Sequence, residues 1–469
     1  MNRQRRRFLK AATAGGVAYA FGRTVGTLDA QMTGVGGFGD YKALVCLFLF
    51  GGNDSWNMFV PTRTAEYNAY SRSRGGGTAS SLAVDRAALL PVVYDGQTSG
   101  DPTYGFHPSM TGARELFQSG RLAVMANMGP LLRPTTKAQY QSAATSGHAL
   151  PPQLFSHNDQ QDQWHSLRGR TISKSGWAGR VADVLNAQVA GQQLSLNVSL
   201  AGQTYFQAGE IARPYVMGAA GATNFTGFAT SGVGLGRRGA VEASLTAALA
   251  SKSNTVYERS YASIQQRAVQ FADRVNGSLA TARDFSALPN TGATLSGLQT
   301  QLRTVAKLIS VRTSLSLSRQ IFFVSLGGFD QHDDLMADQP GLLATVSNGI
   351  KSFYDALAEM GMENSVTLFT QSDFGRTLTS NGDGSDHGWG SHHFVMGGAV
   401  DGGKFLGTAP EIGLTHNQQV GSGRLLPSTS VDQLGAELAA WFGVSATDVK
   451  TVLPNARNFD LYKLGLFKS

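Results

Sequence analysis

Histidine and aspartate residues concentrate in five short segments, and together they could bind a divalent metal ion. Six of the nine histidines fall in these segments. Aspartate supplies hard oxygen ligands and neutral histidine supplies a borderline nitrogen, so Zn²⁺, Mn²⁺ and Mg²⁺ suit this set and Ca²⁺ suits it less. The segments are 51–55, 155–165, 327–334, 371–376 and 386–393.

Spacing within the segments narrows the candidate ligands. Asp330 and His332 are two residues apart, so in a locally extended chain their side chains point the same way. His392 and His393 are adjacent, so at most one of them is expected to bind the ion, and His392 is the candidate. Arg376 is either a salt-bridge partner of the carboxylates or a group that binds an anion. A polar network that only stabilises the fold is the alternative interpretation of the whole set.

The elements that must position these residues alternate between β-type and helical patterns. Short apolar runs separated by amphipathic stretches predict a mainly parallel sheet with helices on both faces. Sheets of this type place their sites beyond the carboxyl ends of the strands, which is where most of the polar segments fall. The predicted strands are 41–50, 121–128, 194–200, 320–326, 365–370 and 393–396, and the predicted helices are 111–118, 342–360 and 431–442.

Two regions depart from this alternation. The stretch 207–292 begins rich in Gly, Ala and Thr and continues as a long helical pattern over 241–283, so we interpret it as an insertion or cap on the main sheet. The segment 4–10, with paired arginines followed by Phe-Leu-Lys, resembles a twin-arginine export signal. We therefore expect residues 1–30 to be a signal peptide. Residues 31–469 would form the exported domain, periplasmic or secreted, with no membrane span in the mature chain.

Composition excludes several classes of protein. A hydrophobic content of 42% with 15% charged residues argues against a disordered or highly charged filament protein. The net charge is +7, but residues 1–30 hold six of the cations and one anion, so the remainder carries only +2 and nucleic acid is not an expected partner. The single cysteine, Cys46, excludes a disulfide framework within one chain and is interpreted as a core residue.

Taken together, the motifs resemble the bacterial family called domain of unknown function 1501. That family is grouped with the alkaline phosphatase and sulfatase superfamily, so the resemblance implies a doubly wound α/β fold with one or two metal ions facing a Ser or Thr nucleophile. The motifs that carry it follow the arginine pair and span 47–54, 105–108, 156–164, 176–180, 327–332, 372–377 and 386–388.

Carried over residue by residue, the resemblance implies a specific ligand set. Asp54 matches the first metal-binding aspartate of the superfamily, and Asp330 with His332 matches the next ligand pair. Asp373 stands where the aspartate of an Asp-His pair ends a strand in phosphatases and sulfatases, but Phe374 follows it in place of the histidine.

The missing histidine has three possible explanations. Asp386-His387 supplies it from the next loop, His392 supplies it, or that metal site is absent. We expect Asp54, Asp330, His332, Asp373 and at least one of His387 and His392 to converge on one cavity.

The resemblance also implies a nucleophile. Ser156 is the candidate, because it opens a helix whose amides can hold an anion and because His157 accompanies it. An N-cap role for Ser156 is the alternative, and Ser55 is a rival nucleophile. We assign Ser156, His157 and Arg376 to the candidate catalytic set.

Two classes of function fit these observations. The first is an exported metal-dependent hydrolase whose substrate is an anionic phosphate or sulfate ester. The second is a non-catalytic envelope or secreted protein that keeps the fold, with one metal ion or none, and acts with a co-exported protein partner. Metal content discriminates between them, because two ions per chain favour the enzyme and none favours the scaffold.

Overall fold

A computed structural model describes residues 37–94, 103–169, 175–222 and 255–468, together with the single residues 244 and 247. The export signal expected over 1–30 and part of the insertion expected over 207–292 lie outside the described residues.

Fourteen strands and twelve helices are formed by the described residues. The strands are β1 (Lys42–Leu49), β2 (Phe59–Pro61), β3 (Leu90–Val92), β4 (Tyr104–Phe106), β5 (Leu122–Gly129), β6 (Asn197–Ser199), β7 (Tyr215–Val216), β8 (Arg319–Leu326), β9 (Val366–Ser372), β10 (Arg376–Ser380), β11 (Ser385–His387), β12 (Ser391–Met396), β13 (Phe405–Leu406) and β14 (Thr429–Ser430). The helices are α1 (Ser55–Met58), α2 (Thr64–Ser73), α3 (Thr111–Gln118), α4 (Lys137–Gln141), α5 (Ala143–Ser146), α6 (His157–Ser166), α7 (Trp177–Val184), α8 (Val256–Thr281), α9 (Gly297–Ser310), α10 (Leu335–Glu359), α11 (Val431–Phe442) and α12 (Ala446–Val452).

A nine-stranded sheet forms the centre of the protein. Its order is β13-β5-β12-β9-β1-β8-β6-β7, and β14 also pairs with β5. Strand β1 lies between β8 and β9 and is parallel to both, whereas β12 is antiparallel to its neighbours β5 and β9. The prediction of a mixed α/β protein with a mainly parallel sheet is therefore confirmed.

Both faces of the sheet are buried by helices. Along β1, Val45 and Leu47 pack into one core with α3, α9 and α10, and the alternate residues Cys46 and Phe48 pack into the other with α7, α11 and α12. This explains why β1 has no polar residue after its first position, since a parallel strand covered on both faces meets no water. The prediction that Cys46 is a core residue is confirmed.

Some element bounds differ from the predictions. The strand predicted over 194–200 is shortened to Asn197–Ser199. The helix predicted from residue 342 begins at Leu335 and continues through Pro340, its sixth residue, which has no N–H to donate to the Met336 carbonyl. Among the described residues, no helix combines the length and the apolar character needed to cross a membrane.

Candidate metal centre

The carboxyl edge of the central sheet brings the polar segments together. Strands β1, β8 and β9 are parallel, so their carboxyl ends lie at one edge. The loop after β8 carries Asp330 and His332, and the residue after β9 is Asp373. His157 is the first residue of α6 and His387 is the last residue of β11.

The loops after β1 and β8 approach each other at Gly51. This residue has φ +116°, and a Cβ atom there would lie 2.3 Å from the Asp330 nitrogen. The Phe329 N–H also donates to the Phe50 carbonyl at 3.1 Å. Only glycine fits this contact, and the contact fixes the backbone that presents the Asp330 carboxylate.

The buried side chain of Arg376 forms hydrogen bonds to both of these loops. Its side chain is 0% exposed, and the guanidinium donates to the carbonyls of Gly51 at 2.9 Å, Gly52 at 3.0 Å and Ser385 at 2.6 Å and to the Asp330 carboxylate. A fully buried guanidinium with these partners is not available to a substrate anion. Of the two roles considered for Arg376, the structure supports the salt-bridge partner and corrects the catalytic assignment.

Three histidine Nε2 atoms surround the Asp330 carboxylate. The Nε2 atom of His157 lies 3.4 Å from Oδ2, and those of His332 and His387 lie 3.2 and 3.5 Å from Oδ1. Potential ligand atoms of His157, Asp330 and His387 all lie within 4.8 Å of one another, the one such group found among the described residues. We refer to His157, Asp330, His332 and His387 as the histidine cluster.

The outer nitrogens of two of these rings are held by acceptors. His387 Nδ1 lies 2.7 Å from the Phe155 carbonyl, which can only accept, so Nδ1 carries the proton and Nε2 is left with a lone pair. His157 Nδ1 lies 2.7 Å from Asp373 Oδ2, which also accepts from the Gln161 side chain at 2.9 Å. Partners of this kind fix the ring orientation and tautomer of metal-binding histidines.

The third ring, that of His332, lies between an aspartate and the His387 ring. His332 Nδ1 lies 3.3 Å from Asp386 Oδ1, and His332 Nε2 lies 2.8 Å from His387 Nε2. If His332 Nδ1 donates to Asp386, two Nε2 lone pairs face each other at a distance where they repel. Three arrangements remove this repulsion: a second proton on His332, the tautomer in which His332 Nε2–H donates to His387 and Nδ1 faces Asp386 without a proton, or a metal ion among the Nε2 atoms.

The charge state of the cluster suits a metal ion. Burial acts to raise the pKa of Asp330, but Arg376, His157 and His332 outweigh it and hold that pKa below its usual value. Burial lowers the pKa of His387, and the nearby Arg376 adds to the effect. An ionised carboxylate and a neutral imidazole are the forms that bind metals.

Spacing and donor type also fit. A tetrahedral ion with bonds of about 2.0–2.1 Å holds its ligand atoms roughly 3.3–3.4 Å apart. The three Nε2–carboxylate distances, 3.2, 3.4 and 3.5 Å, lie close to that value, whereas the 2.8 Å between the Nε2 atoms of His332 and His387 is shorter, so these two rings would have to separate to bind one ion. Three imidazoles with one carboxylate suit Zn²⁺ or another first-row transition ion better than Mg²⁺, which prefers oxygen ligands.

The structure does not bring Asp54 into the cluster. Its Oδ2 atom lies 2.7 Å from the Arg74 guanidinium and accepts from the Ser385 hydroxyl at 2.8 Å, and its Oδ1 atom accepts from the Trp56 N–H at 3.2 Å. Asp54 and Arg74 are both buried. The expected metal-ligand role is corrected to a structural one, because a buried arginine already neutralises this carboxylate.

The metal-ligand role expected for His392 is also corrected. Its Nδ1 atom accepts from the Asn127 N–H at 3.1 Å, and its ring packs against Trp56 and Phe59. Burial lowers the pKa of His392 to about 3, so it is a neutral core residue. The adjacent His393 packs against Trp164, and it too is buried.

Phe374, which follows Asp373 in place of the expected histidine, packs against two rings of the histidine cluster. Its ring centroid lies 4.5 Å from that of His387 and 4.8 Å from that of His157. Of the two histidines considered for the missing place, His387, from the β10–β11 hairpin, lies beside Asp330, whereas His392 lies in the core. Asp373 and Asp386 lie behind His157 and His332, on their Nδ1 sides.

Ser156 occupies the N-cap position of α6. Its hydroxyl donates to Asp159 Oδ2 at 2.6 Å and makes no capping bond to a backbone N–H. The residue is half-buried and adjoins His157 in the chain.

Sequence reasoning missed several residues of the site. It assigned His157 to catalysis rather than to the ligand set, although the density of His, Asp and Gln in 155–165 was a usable signal. It gave no role to Arg74 or to the Phe155 carbonyl. Nothing in the local sequence marks either one, since each acts on a residue far away in the chain.

Fold and site together define a mixed α/β protein with a histidine-aspartate cluster at the carboxyl edge of its sheet. The chain belongs to the family described as protein of unknown function (DUF1501), which matches residues 41–452. No curated protein matches this chain.

Solved structures offer distant likenesses. The chain is similar to the crystal structure of Ps i-CgsB in complex with k-i-k-neocarrahexaose, with 7% identity and a TM-score of 0.36, over 91% of this chain and 75% of that chain. For the crystal structure of Ps i-CgsB the identity is 8% and the TM-score 0.35, over 90% of this chain and 77% of that chain. Likenesses this distant support no statement about activity or substrate.

Replacing Arg376 with methionine should destabilise the protein by about 3–5 kcal/mol, because it leaves several buried carbonyls unsatisfied. Arg457, an exposed arginine, supplies the control, since Arg457→Met should change stability by less than about 0.5 kcal/mol. Denaturant unfolding measures both. Equal stability of the two variants would show that the hydrogen bonds of Arg376 do not hold the loops together.

Proposed function

We propose that this protein is an exported metal-dependent hydrolase of phosphate or sulfate esters. The observation that carries the proposal is the histidine cluster, in which three Nε2 atoms surround an ionised carboxylate while acceptors face the Nδ1 atoms. A purely structural polar network would need His332 to be protonated on both nitrogens, or to leave its Nδ1 lone pair facing Asp386, because its Nε2 atom lies 2.8 Å from His387 Nε2.

His157, Asp330, His332 and His387 would hold the ion. When bound, the ion would supply Lewis-acid stabilisation of negative charge that develops on the transferred group. The exposed side of the cluster gives access to a substrate, since the Asp330 side chain is 49% exposed.

The chain's own residues would orient the reacting groups. Asp373 and Gln161 hold His157 in position. Ser156 lies next to it at the start of a ten-residue helix, where free amides and the helix dipole favour an anion. In this proposal the Ser156 oxygen attacks the phosphorus or sulfur atom, and Asp159, 2.6 Å away, accepts the hydroxyl proton. The bond to the alcohol oxygen breaks and the alcohol leaves with a proton, after which water hydrolyses the serine ester and releases phosphate or sulfate.

Removing a ring of the histidine cluster should release the metal. Outer partners of metal ligands typically contribute 10–100-fold to affinity, so His157→Ala, His332→Ala and His387→Ala should each weaken binding at least about tenfold. The control is His148→Ala, since His148 lies in a loop and contacts Thr135 at 3.0 Å. Equilibrium dialysis against Zn²⁺ with mass-spectrometric metal analysis measures the effect.

Two results would count against the centre. Purified wild-type protein that binds no ion would leave His332 as a protonated structural residue and favour the scaffold with a co-exported partner. Unchanged affinity in all three histidine variants would place the ion elsewhere in the chain.

Replacing Ser156 with alanine should abolish turnover of an aryl phosphate or sulfate and leave the metal content unchanged. The stability loss should be below about 1 kcal/mol, because the Ser156 hydroxyl caps no backbone N–H and loses only its bond to Asp159. Ser445→Ala is the control for activity, because Ser445 is also an N-cap whose hydroxyl donates to an aspartate three residues on, Asp448, at 2.7 Å. Ser445 also accepts from the Asp448 N–H at 3.1 Å, so its alanine variant should lose more stability than Ser156→Ala. If Ser156→Ala retains activity, Ser156 is an N-cap and not the nucleophile.

Export through the twin-arginine route is part of the proposal and rests on residues 4–10. Replacing Arg5 and Arg6 with lysine keeps the charge but removes the arginine pair, so the protein should remain in the cytoplasm. Cell fractionation with an antibody to the mature domain tests this. Normal export of the double variant would refute the assignment.

A further inference from the structure

Arg424 lies against the histidine cluster and has unused hydrogen-bond donors. Its Nε–H donates to the His387 carbonyl at 2.8 Å, and its guanidinium carbon lies 4.6 Å from the centre of the Phe155 ring. The Phe155 carbonyl in turn accepts from His387 Nδ1. Arg424 is therefore fixed to the same two residues that orient one ring of the cluster.

The remaining donors of Arg424 distinguish it from the buried arginines. Arg376 and Arg74 use both of their Nη atoms on carbonyls and carboxylates. Neither Nη atom of Arg424 has a hydrogen-bond or ion-pair partner among the described residues, and the side chain is half-buried. A half-buried guanidinium with two free Nη groups matches the two oxygens of a phosphate or sulfate group.

The backbone that carries Arg424 is held in place. Its N–H donates to the Gly421 carbonyl at 2.9 Å and its carbonyl accepts from the Val420 N–H at 2.9 Å. The turn packs closely on β10 at Gly423, where a Cβ atom would lie 2.7 Å from the Thr379 nitrogen. The guanidinium is thus positioned before any ligand arrives, which lowers the entropic cost of binding.

We propose that Arg424 forms an anion subsite beside the histidine cluster and binds a phosphate or sulfate group of the substrate through its two Nη atoms. The inference rests on the proposed function in one respect, namely that the substrate is an anionic ester. It assigns to Arg424 the anion-binding role that the sequence suggested for Arg376.

The test is the binding of inorganic phosphate and sulfate to the protein spanning residues 31–469, loaded with Zn²⁺ and measured by calorimetry. Arg424→Gln should weaken binding about 10–100-fold, the range for loss of a charged hydrogen-bonding group. Arg424→Lys restores the charge but not the paired donors, so it should recover only part of the affinity. Arg457→Gln is the control, because Arg457 also has no partner among the described residues and lies outside the cluster.

The outcomes separate this inference from the proposed function. Loss of anion binding in Arg424→Gln with unchanged zinc content supports the subsite, even if wild-type protein hydrolyses no ester and the hydrolase proposal fails. Wild-type protein that binds neither anion, or Arg424→Gln that binds them normally, overturns it. Loss of zinc in Arg424→Gln also overturns it, since Arg424 would then act by positioning His387.

If the substrate supplies the anion, Arg424→Gln should raise KM for an aryl sulfate or phosphate by a similar factor, and the free anion should compete with it in wild-type protein. Competition without a change in KM would assign the subsite to the inorganic product rather than to the substrate.

Discussion

The burial of the Arg376 guanidinium is the constraint on which the site depends. A charge that meets no water must be surrounded by acceptors, and here the acceptors are main-chain carbonyls of the loop after β1 and of the β10–β11 hairpin together with the Asp330 carboxylate. Satisfying one side chain therefore fixes three separate chain segments relative to one another. The position of the Asp330 carboxylate is fixed in the same way, because it accepts one of these hydrogen bonds.

A second buried charge completes the support of the hairpin. Asp54 and Arg74 form an ion pair, and the Ser385 hydroxyl donates to Asp54 while the Ser385 carbonyl accepts from Arg376. Ser385 is thus held from both sides, two residues before His387. The position of the His387 ring is thus set in part by polar groups that do not contact the ring.

The electrostatics of the cluster follow from this arrangement. Arg376 keeps Asp330 ionised, and the same positive charge, with burial, favours neutral His387. One carboxylate therefore lies among three imidazole rings, two of which face each other through Nε2, and these donor types are ones that could hold a cation. Arg424, placed on the backbone side of His387, adds positive charge beside the cluster.

Much of the fold was predictable from local patterns, because apolar periodicity reports directly which faces of a strand or helix are buried. The strands β1, β5, β8 and β9 and the helices α3 and α11 follow the predicted elements closely. The concentration of His and Asp at strand ends likewise predicted which loops meet, since parallel strands share one carboxyl edge.

The division of roles within the site was decided only by the tertiary structure. Asp54 and Asp330 each end a Gly-Gly-x-Asp segment after a buried parallel strand, so their local sequences predict the same role. Asp54 forms an ion pair with the buried Arg74 and has no exposed side. Asp330 pairs with Arg376, which also donates to main-chain carbonyls, and the exposed side of its carboxylate faces the histidines. The sequence by itself determined the residue types, the strand ends and the glycines that permit close approach. Which carboxylate stays free depends on arginines distant in the chain, and only packing brings those within reach.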